Sequence, residues 1–254
     1  MEHITNEGKG RAVVLVHGNS LSNGIWRPQI EDPALNGLNL LAVDLPGHGR
    51  GDWLPPGAAY SLDGYATELA GLVRGLPDPV LVGHSLGGHI CMRVLAKAPN
   101  VRGLMLLGAP PLASAADMMR AFLPTPAMDH AFKPDLTEEE ARTSAAVYTW
   151  PGSPWIEPMT AMIMKTDPRV RADMGRELMS GNLADELALI RASGVPVCMV
   201  QGSEEASISP GYLNELASLF WERRVRVLEG CGHSPQLQRP DDFTALLRGF
   251  MEGI

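Results

Sequence analysis

Gly83-His84-Ser85-Leu86-Gly87 places a serine between two glycines, after the apolar run Val80-Leu81-Val82 and before a helical stretch beginning near His89. A hydroxyl on a sharp strand-to-helix turn is exposed for nucleophilic attack, and glycines two before and two after it let the backbone close. The following helix start offers unpaired N–H groups and a positive dipole end, which suits an oxyanion and hence acyl transfer. Such a serine needs a base, and neutral imidazole is the side chain whose pKa lies nearest the working pH. Of the seven histidines, His3 is terminal, His17 and His84 end apolar runs and His48 sits in a Pro-Gly-His-Gly turn. His89 begins a helix and His130 lies in a strandless region, whereas His233, in Cys231-Gly232-His233-Ser234-Pro235, follows the last strand-like run.

The elements that must position these groups are legible as short apolar runs. They are Ala12–Val16, Leu40–Val43, Val80–Val82, Leu104–Leu107, Val197–Val200 and Val225–Leu228. Each is continuous rather than alternating, as expected of strands buried on both faces of a parallel sheet. Helical stretches, Leu62–Leu76 and His89–Ala98, alternate with them and predict a doubly wound, mostly parallel α/β sheet. The alternation stops after Ala109-Pro110-Pro111. Residues 112–190 contain helical patterns, eight of the 13 methionines (118, 119, 128, 159, 162, 164, 174 and 179), and helix-breaking Pro124, Pro126, Pro134, Pro151, Pro154 and Pro158. Too long for a loop, this stretch is expected to form a helical cap, with residues 1–111 and 191–254 as the core. A cap over the carboxyl ends of the strands would cover the place where open α/β sheets bind ligands, and its methionines suggest an adaptable apolar pocket.

Composition narrows the function classes. The chain of 254 residues is 45% hydrophobic and 20% charged, with a formal net charge of −8. That balance speaks against a nucleic-acid partner, which needs clustered Lys and Arg; Arg223, Arg224 and Arg226 read as a solvated strand edge. No apolar run approaches the length of a membrane span and the start lacks a signal-peptide pattern, so a cytoplasmic protein without a membrane partner is expected. Cys91, Cys198 and Cys231 are widely spaced and odd in number, which implies free thiols in a reducing compartment. His-Glu-x-x-His and His-x-His-x-Asp-His are both absent, so neither a metal nor another cofactor is expected.

Taken together, these motifs resemble the α/β-hydrolase superfamily over almost the whole chain. Within that fold the resemblance implies a cap inserted after the sixth strand, and the order serine, acid, histidine selects His233. The acid is expected after Val197–Gln201, where Gly202-Ser203-Glu204-Glu205 sets Glu205 at the position usually held by Asp, with Glu204 as its competitor. Asp44, in Asp44-Leu45-Pro46-Gly47-His48-Gly49, and His17 are taken as structural. The resemblance further implies that the backbone N–H groups of Asn19 and Leu86 form an oxyanion hole.

A narrower likeness is carried by His17-Gly18-Asn19-Ser20, Tyr60-Ser61-Leu62-Asp63-Gly64-Tyr65-Ala66, Ser85-Leu86-Gly87-Gly88-His89-Ile90 and Gly108-Ala109-Pro110-Pro111. These look like the metal-independent N-acyl-homoserine lactone lactonases, whose triad acid is also a glutamate. The chain departs from that pattern at its start, where the first apolar run begins at Ala12 and the usual leading antiparallel hairpin is expected to be missing or reduced. The implied substrate is a small ester or lactone with an apolar acyl part, contacted by Gly18, Asn19, Tyr148, Trp150, Trp155, Met159 and Met162. A monomer or homodimer is expected. A general carboxylesterase or lactonase, a perhydrolase of the haloperoxidase type and a slow-turnover ligand receptor share the same motifs.

Overall fold

The computed structural model describes residues 1–125, 128–181 and 183–254, the side chains of 128 and 129 excepted. Seven strands form its sheet: β1 (His3–Thr5), β2 (Ala12–Val16), β3 (Asn39–Val43), β4 (Val80–His84), β5 (Gly103–Leu107), β6 (Val197–Gly202) and β7 (Arg226–Leu228). Their order is β1-β3-β2-β4-β5-β6-β7. All neighbours are parallel except β1, which runs antiparallel to β3 and pairs Ile4 with Ala42. The leading hairpin is thus reduced to one short strand. The helices expected after the sixth strand of the fold therefore follow the fifth strand of this chain.

The helices divide by position. α1 (Arg27–Ile30), α2 (Leu62–Arg74) and α3 (Leu86–Val94) precede β5. Between β5 and β6 lie α4 (Ala115–Ala121), α5 (Met128–Ala131), α6 (Glu138–Tyr148), α7 (Ile156–Lys165), α8 (Pro168–Met179) and α9 (Glu186–Ser193). α10 (Pro210–Glu215), α11 (Pro235–Gln238) and α12 (Pro240–Glu252) complete the chain. No helix among the described residues is long and apolar enough to cross a membrane. The expected boundary at 190/191 falls inside α9, which packs against α3.

Alternate residues of each central strand supply two apolar layers. Val14, Val16, Leu81, Leu104 and Leu106 meet Ala66, Leu69 and Val73 of α2 and Ile90 and Val94 of α3. Val13, Leu15, Val80, Val82, Met105 and Leu107 meet Trp26 and the Phe243, Leu247 and Phe250 face of α12. Each such side chain contributes about 1.5–3 kcal/mol on burial. The pattern of continuous burial holds for β2, β4, β5 and β6 but not for β7, where Val227 is half exposed because the strand is a sheet edge.

Local chemistry sets the helix limits. Ser61 caps α2 through the Gly64 N–H, Thr137 and Glu140 form a reciprocal capping box on α6, and Gly194 ends α9 in a left-handed conformation. Pro124, Pro134, Pro151 and Pro154 lie between helices as expected, and Pro126 lies outside the described residues. Pro158 instead sits in the first turn of α7, where its missing N–H has no intrahelical acceptor to lose.

Candidate active site

Ser85 stands between the end of β4 and the first residue of α3, with φ 52° and ψ −121°. This is a left-handed backbone for a residue with a side chain, a strain held only when the surroundings over-determine it. Two hydrogen bonds fix the turn: the Ser85 N–H donates to Leu107 O at 2.7 Å, and the Gly88 N–H donates to Ser85 O at 2.8 Å. The glycines answer to close packing. A Cβ at Gly83 would lie 2.5 Å from the Gly88 Cα, one at Gly87 2.5 Å from Val16 O, and one at Gly88 2.3 Å from the Ala109 Cβ. α3 therefore starts directly after Ser85, three residues earlier than the pattern from His89 suggests, because Gly87 and Gly88 serve packing rather than break the helix. Leu86, as its first residue, has an N–H with no intrahelical acceptor.

The end of β2 approaches the same serine. A side chain at Gly18 would begin 3.2 Å from the Ser85 Cβ and 3.0 Å from His84 Nδ1, so glycine lets the loop close on Ser85 without the serine or His84 giving way. His17 is fully buried; its Nε2 accepts from the Leu45 N–H at 3.1 Å, which leaves Nδ1–H to donate to Gly18 O at 2.8 Å. Burial lowers its pKa, and the ring braces the loop as a neutral tautomer. The Asp44 carboxylate is buried and accepts from the Asn23 N–H at 2.7 Å and the Arg50 N–H at 3.0 Å, a bracket for the turn after β3. The Asn19 side-chain amide donates to Ala131 O at 2.8 Å, tying this loop to α5.

Opposite lies the loop after β7. His233 Nδ1–H donates to Glu205 Oε2 at 2.6 Å, with both side chains almost fully buried. Glu205 Oε1 accepts from the Ser207 N–H at 2.7 Å and the Ser207 Oγ–H at 2.6 Å. Burial alone would raise the Glu205 pKa, but the His233 charge and these hydrogen bonds outweigh it and bring the group to about 2. Burial works against the imidazolium of His233, yet the Glu205 carboxylate more than offsets it and the pKa rises above 6.5. With Nδ1 committed to the carboxylate, Nε2 of the neutral ring carries the lone pair a general base requires. Glu204 is exposed, and its backbone N–H donates to Cys231 O at 2.9 Å, locking the two loops together. Between the two expected acids, the histidine meets Glu205.

The His233 ring rests on Gly108 at the end of β5: a Cβ there would sit 2.8 Å from His233 Cε1, on a backbone with φ +60°. Because Leu107, the residue before, accepts from the Ser85 N–H, the imidazole and the serine turn share one strand end. Every element of the site thus leaves the carboxyl end of a parallel strand, where such sheets present ligand crevices.

Residues of the 112–190 stretch reach this site unevenly. The Tyr148 ring lies 5.5 Å from the His233 ring, and burial together with the Glu205 charge raises its pKa, so it stays neutral. Met159 is fully buried in the α12-side core, with Trp155 and Met162 packed at its edge; Met162 seats its methyl against Gly24. These three pack the helices onto the body. Trp150 is exposed in a turn, so the expectation that it lines an acyl pocket finds no support in its placement. The methionines are dispersed too: Met119, Met164 and Met179 are exposed, Met174 is buried, and the Met128 side chain lies outside the described residues.

Two residues at the site carried no signal in the sequence. His84 donates from Nε2 to His233 O at 2.9 Å; burial, then the His233 charge, takes its pKa down to about 3. Gln238 accepts from the Gly232 and Ser234 N–H groups and donates to Thr149 O. A glutamine two residues before the helix of the C-terminus has no motif to announce it, since only the fold brings Thr149 opposite.

A family model described as alpha/beta hydrolase family matches residues 13–246. Among curated proteins, a pimeloyl-[acyl-carrier protein] methyl ester esterase of Stenotrophomonas maltophilia (strain R551-3) is 26% identical over 99% of this chain and 97% of its own length. A non-heme haloperoxidase of Rhodococcus erythropolis is 27% identical over 96% of this chain and 93% of its own. Among solved structures, the N-acyl homoserine lactonase AidH complexed with N-butanoyl homoserine superposes with a TM-score of 0.89 and 30% identity, covering 98% of this chain and 91% of that one. AidH variants with a serine or a glutamate replaced by glycine, complexed with N-hexanoyl homoserine lactone and N-hexanoyl homoserine respectively, match with the same TM-score.

Proposed function

The chain belongs to the alpha/beta hydrolase family and is an ester hydrolase, and from that premise we propose that it opens the lactone ring of N-acyl homoserine lactones. The observation that carries this reading is the buried His233–Glu205 bond beside the strained Ser85 turn. It is supported by the 30% identity to a lactonase crystallised as serine and glutamate variants.

In this mechanism the Ser85 hydroxyl gives its proton to His233 Nε2 and its oxygen attacks the lactone carbonyl carbon. The Glu205 carboxylate holds the ring by Nδ1 and stabilises the imidazolium. Asn19 and Leu86 donate their backbone N–H groups to the oxyanion, each worth about 3 kcal/mol. Collapse of the tetrahedral species breaks the bond to the ring oxygen, which takes the proton from His233 and remains tethered to the acyl group. Water, deprotonated by His233, then attacks the acyl-enzyme and releases Ser85 and the open hydroxy acid. Gly18, which keeps the space beside Ser85 free, and Tyr148, against His233, are the substrate contacts this reading favours. The helices of residues 112–190 act as a cap, tied to the site loops through Ala131 and Thr149.

A second reading, hydrolysis of an acyl methyl ester, is favoured by the esterase names among the curated relatives. Mass spectrometry of incubations with N-butanoyl and N-hexanoyl homoserine lactone, beside methyl esters of matched acyl length, separates the two. Ring opening adds one water to the lactone and is lost in Ser85→Ala. Turnover of the methyl esters with untouched lactones sinks the lactonase reading and leaves the esterase.

A further inference from the structure

Gln238 lies at the end of α11, half-buried, and spends both ends of its amide on backbone. Its Oε1 accepts from the Gly232 N–H at 2.8 Å and the Ser234 N–H at 3.3 Å, the amides on either side of His233. Its Nε2 donates to Thr149 O at 2.5 Å. Thr149 directly follows Tyr148, the residue whose ring faces His233, and itself adopts φ −120° and ψ −108° at the end of α6. One side chain therefore sets the loop that carries the imidazole and the chain segment that carries the aromatic ring above it.

We propose that Gln238 is a positioning residue that holds His233 in line between Glu205 and Ser85 and couples that alignment to the seating of the Tyr148 end of the cap. The inference rests on the reading of His233 as the general base. The geometry argues for alignment rather than simple packing. The loop carrying His233 is also fixed elsewhere: His84 Nε2–H reaches the His233 carbonyl, and Cys231 O accepts from the Glu204 N–H. The Gly230 N–H donates to Ser203 Oγ, and Ser234 O accepts from the Leu237 and Gln238 N–H groups. None of these holds the amides that flank the ring-bearing residue. A Cα displacement there swings the imidazole, and reacting groups misplaced by about 1 Å lose on the order of 100-fold in rate. The titratable groups facing His233 are Glu205 after β6, His84 on β4 and Tyr148 on α6, of which only Glu205 is charged across the assay range.

Two variants separate the two arms. Gln238→Met fills similar space without hydrogen bonds and releases both. Gln238→Glu keeps acceptors for the Gly232 and Ser234 amides but offers Thr149 O no donor when ionised, so the cap arm alone is lost. Active serine is first titrated with a fluorophosphonate, and kcat is expressed per titrated site across pH. For Gln238→Met, kcat per site is expected to fall about 10–100-fold, with the acid limb moved to lower pH as the His233–Glu205 contact loosens. For Gln238→Glu, kcat toward p-nitrophenyl acetate stays within about threefold, the limb moves to higher pH from the added negative charge, and KM for long-acyl substrates rises. A purely structural role would reduce only the titratable fraction. Unchanged kcat per site and an unmoved limb in Gln238→Met overturn the inference. A wild-type chain that titrates no serine instead overturns the serine-nucleophile reading beneath it.

Discussion

At the scale of the residue, the buried contact between His233 and Glu205 makes opposite demands on activity and stability. The proposed base works only as neutral imidazole, and the carboxylate raises its pKa above 6.5, so kcat/KM should fall as pH drops through that raised value. In Glu205→Gln the charge is gone and burial dominates, which lowers the histidine pKa and moves the limb to lower pH. The plateau rate should drop by about 10³–10⁴, because an amide stabilises neither the imidazolium nor a single tautomer. A pH–rate profile of the variant with an unmoved limb would rule out this coupling. For stability the signs differ by partner. Glu205, held at about 2, contributes above its ordinary 4.5 and loses that contribution as pH falls toward 2. His233, raised, contributes below 6.5 and loses it as pH climbs through the folded value. The pair therefore stabilises most between pH 4.5 and 6.5, on the acid side of the range in which the enzyme turns over.

Among the elements, the turns that brace the site should be as costly to disturb as the core. Asp44 accepts from the buried Asn23 N–H and from the N–H of exposed Arg50, and Leu45, the next residue, feeds its N–H to His17 under the Asn19 loop. Asp44→Ala leaves the Asn23 donor buried and unpaired and is expected to cost about 1–3 kcal/mol in urea unfolding. Asp44→Asn, which retains one acceptor oxygen, should cost less. An alanine variant within about 0.5 kcal/mol of wild type would show the bracket to be dispensable. This same element illustrates what a sequence discloses. β2, β4, β5 and β6 were readable because their burial on both faces writes itself as continuous apolar runs, mostly Val, Leu and Met. β1 was not: His3-Ile4-Thr5 lies at a sheet edge, where one partner and open solvent impose no such run. Ser85, His233 and the pair Glu204 and Glu205 could be placed by the strands they follow, since position along a doubly wound sheet fixes which loops converge, while the contact with His233 falls to Glu205. Gln238 and His84 could not, because their partners, Thr149 O and His233 O, are backbone atoms that leave no trace in residue type.

Across the whole molecule, the described structure places its stability unevenly. β4 and β5 are buried at every residue and lie inside the sheet. Of the helices that follow, α4 and α6 contribute far less to the core: α4 buries Ala121, and α6 buries Ala141, Ser144 and Ala145, all small, whereas α7 and α8 bury Met159, Ile163, Val170 and Met174. Exposed Met119, Leu123, Val147, Trp150, Met164 and Met179 mark the same stretch. Small buried side chains return little hydrophobic free energy against the entropy of ordering a helix, so α4 and α6 should open without global unfolding. Hydrogen exchange is expected to show amides of α4 and α6 opening at least about 2 kcal/mol more easily than those of β4 and β5. Polar anchors hold α4 and α6 in place: Leu123 N–H to Ser207 O and Ser209 N–H to Ala121 O beside α4, and Gln238 to Thr149 O at the end of α6. Gln238→Met should accordingly speed exchange in the C-terminal turn of α6 while leaving β4 unchanged. Equal protection in α6 and β4 would mean that the helices over the site unfold only with the sheet, and substrate would then have to enter through a fixed opening.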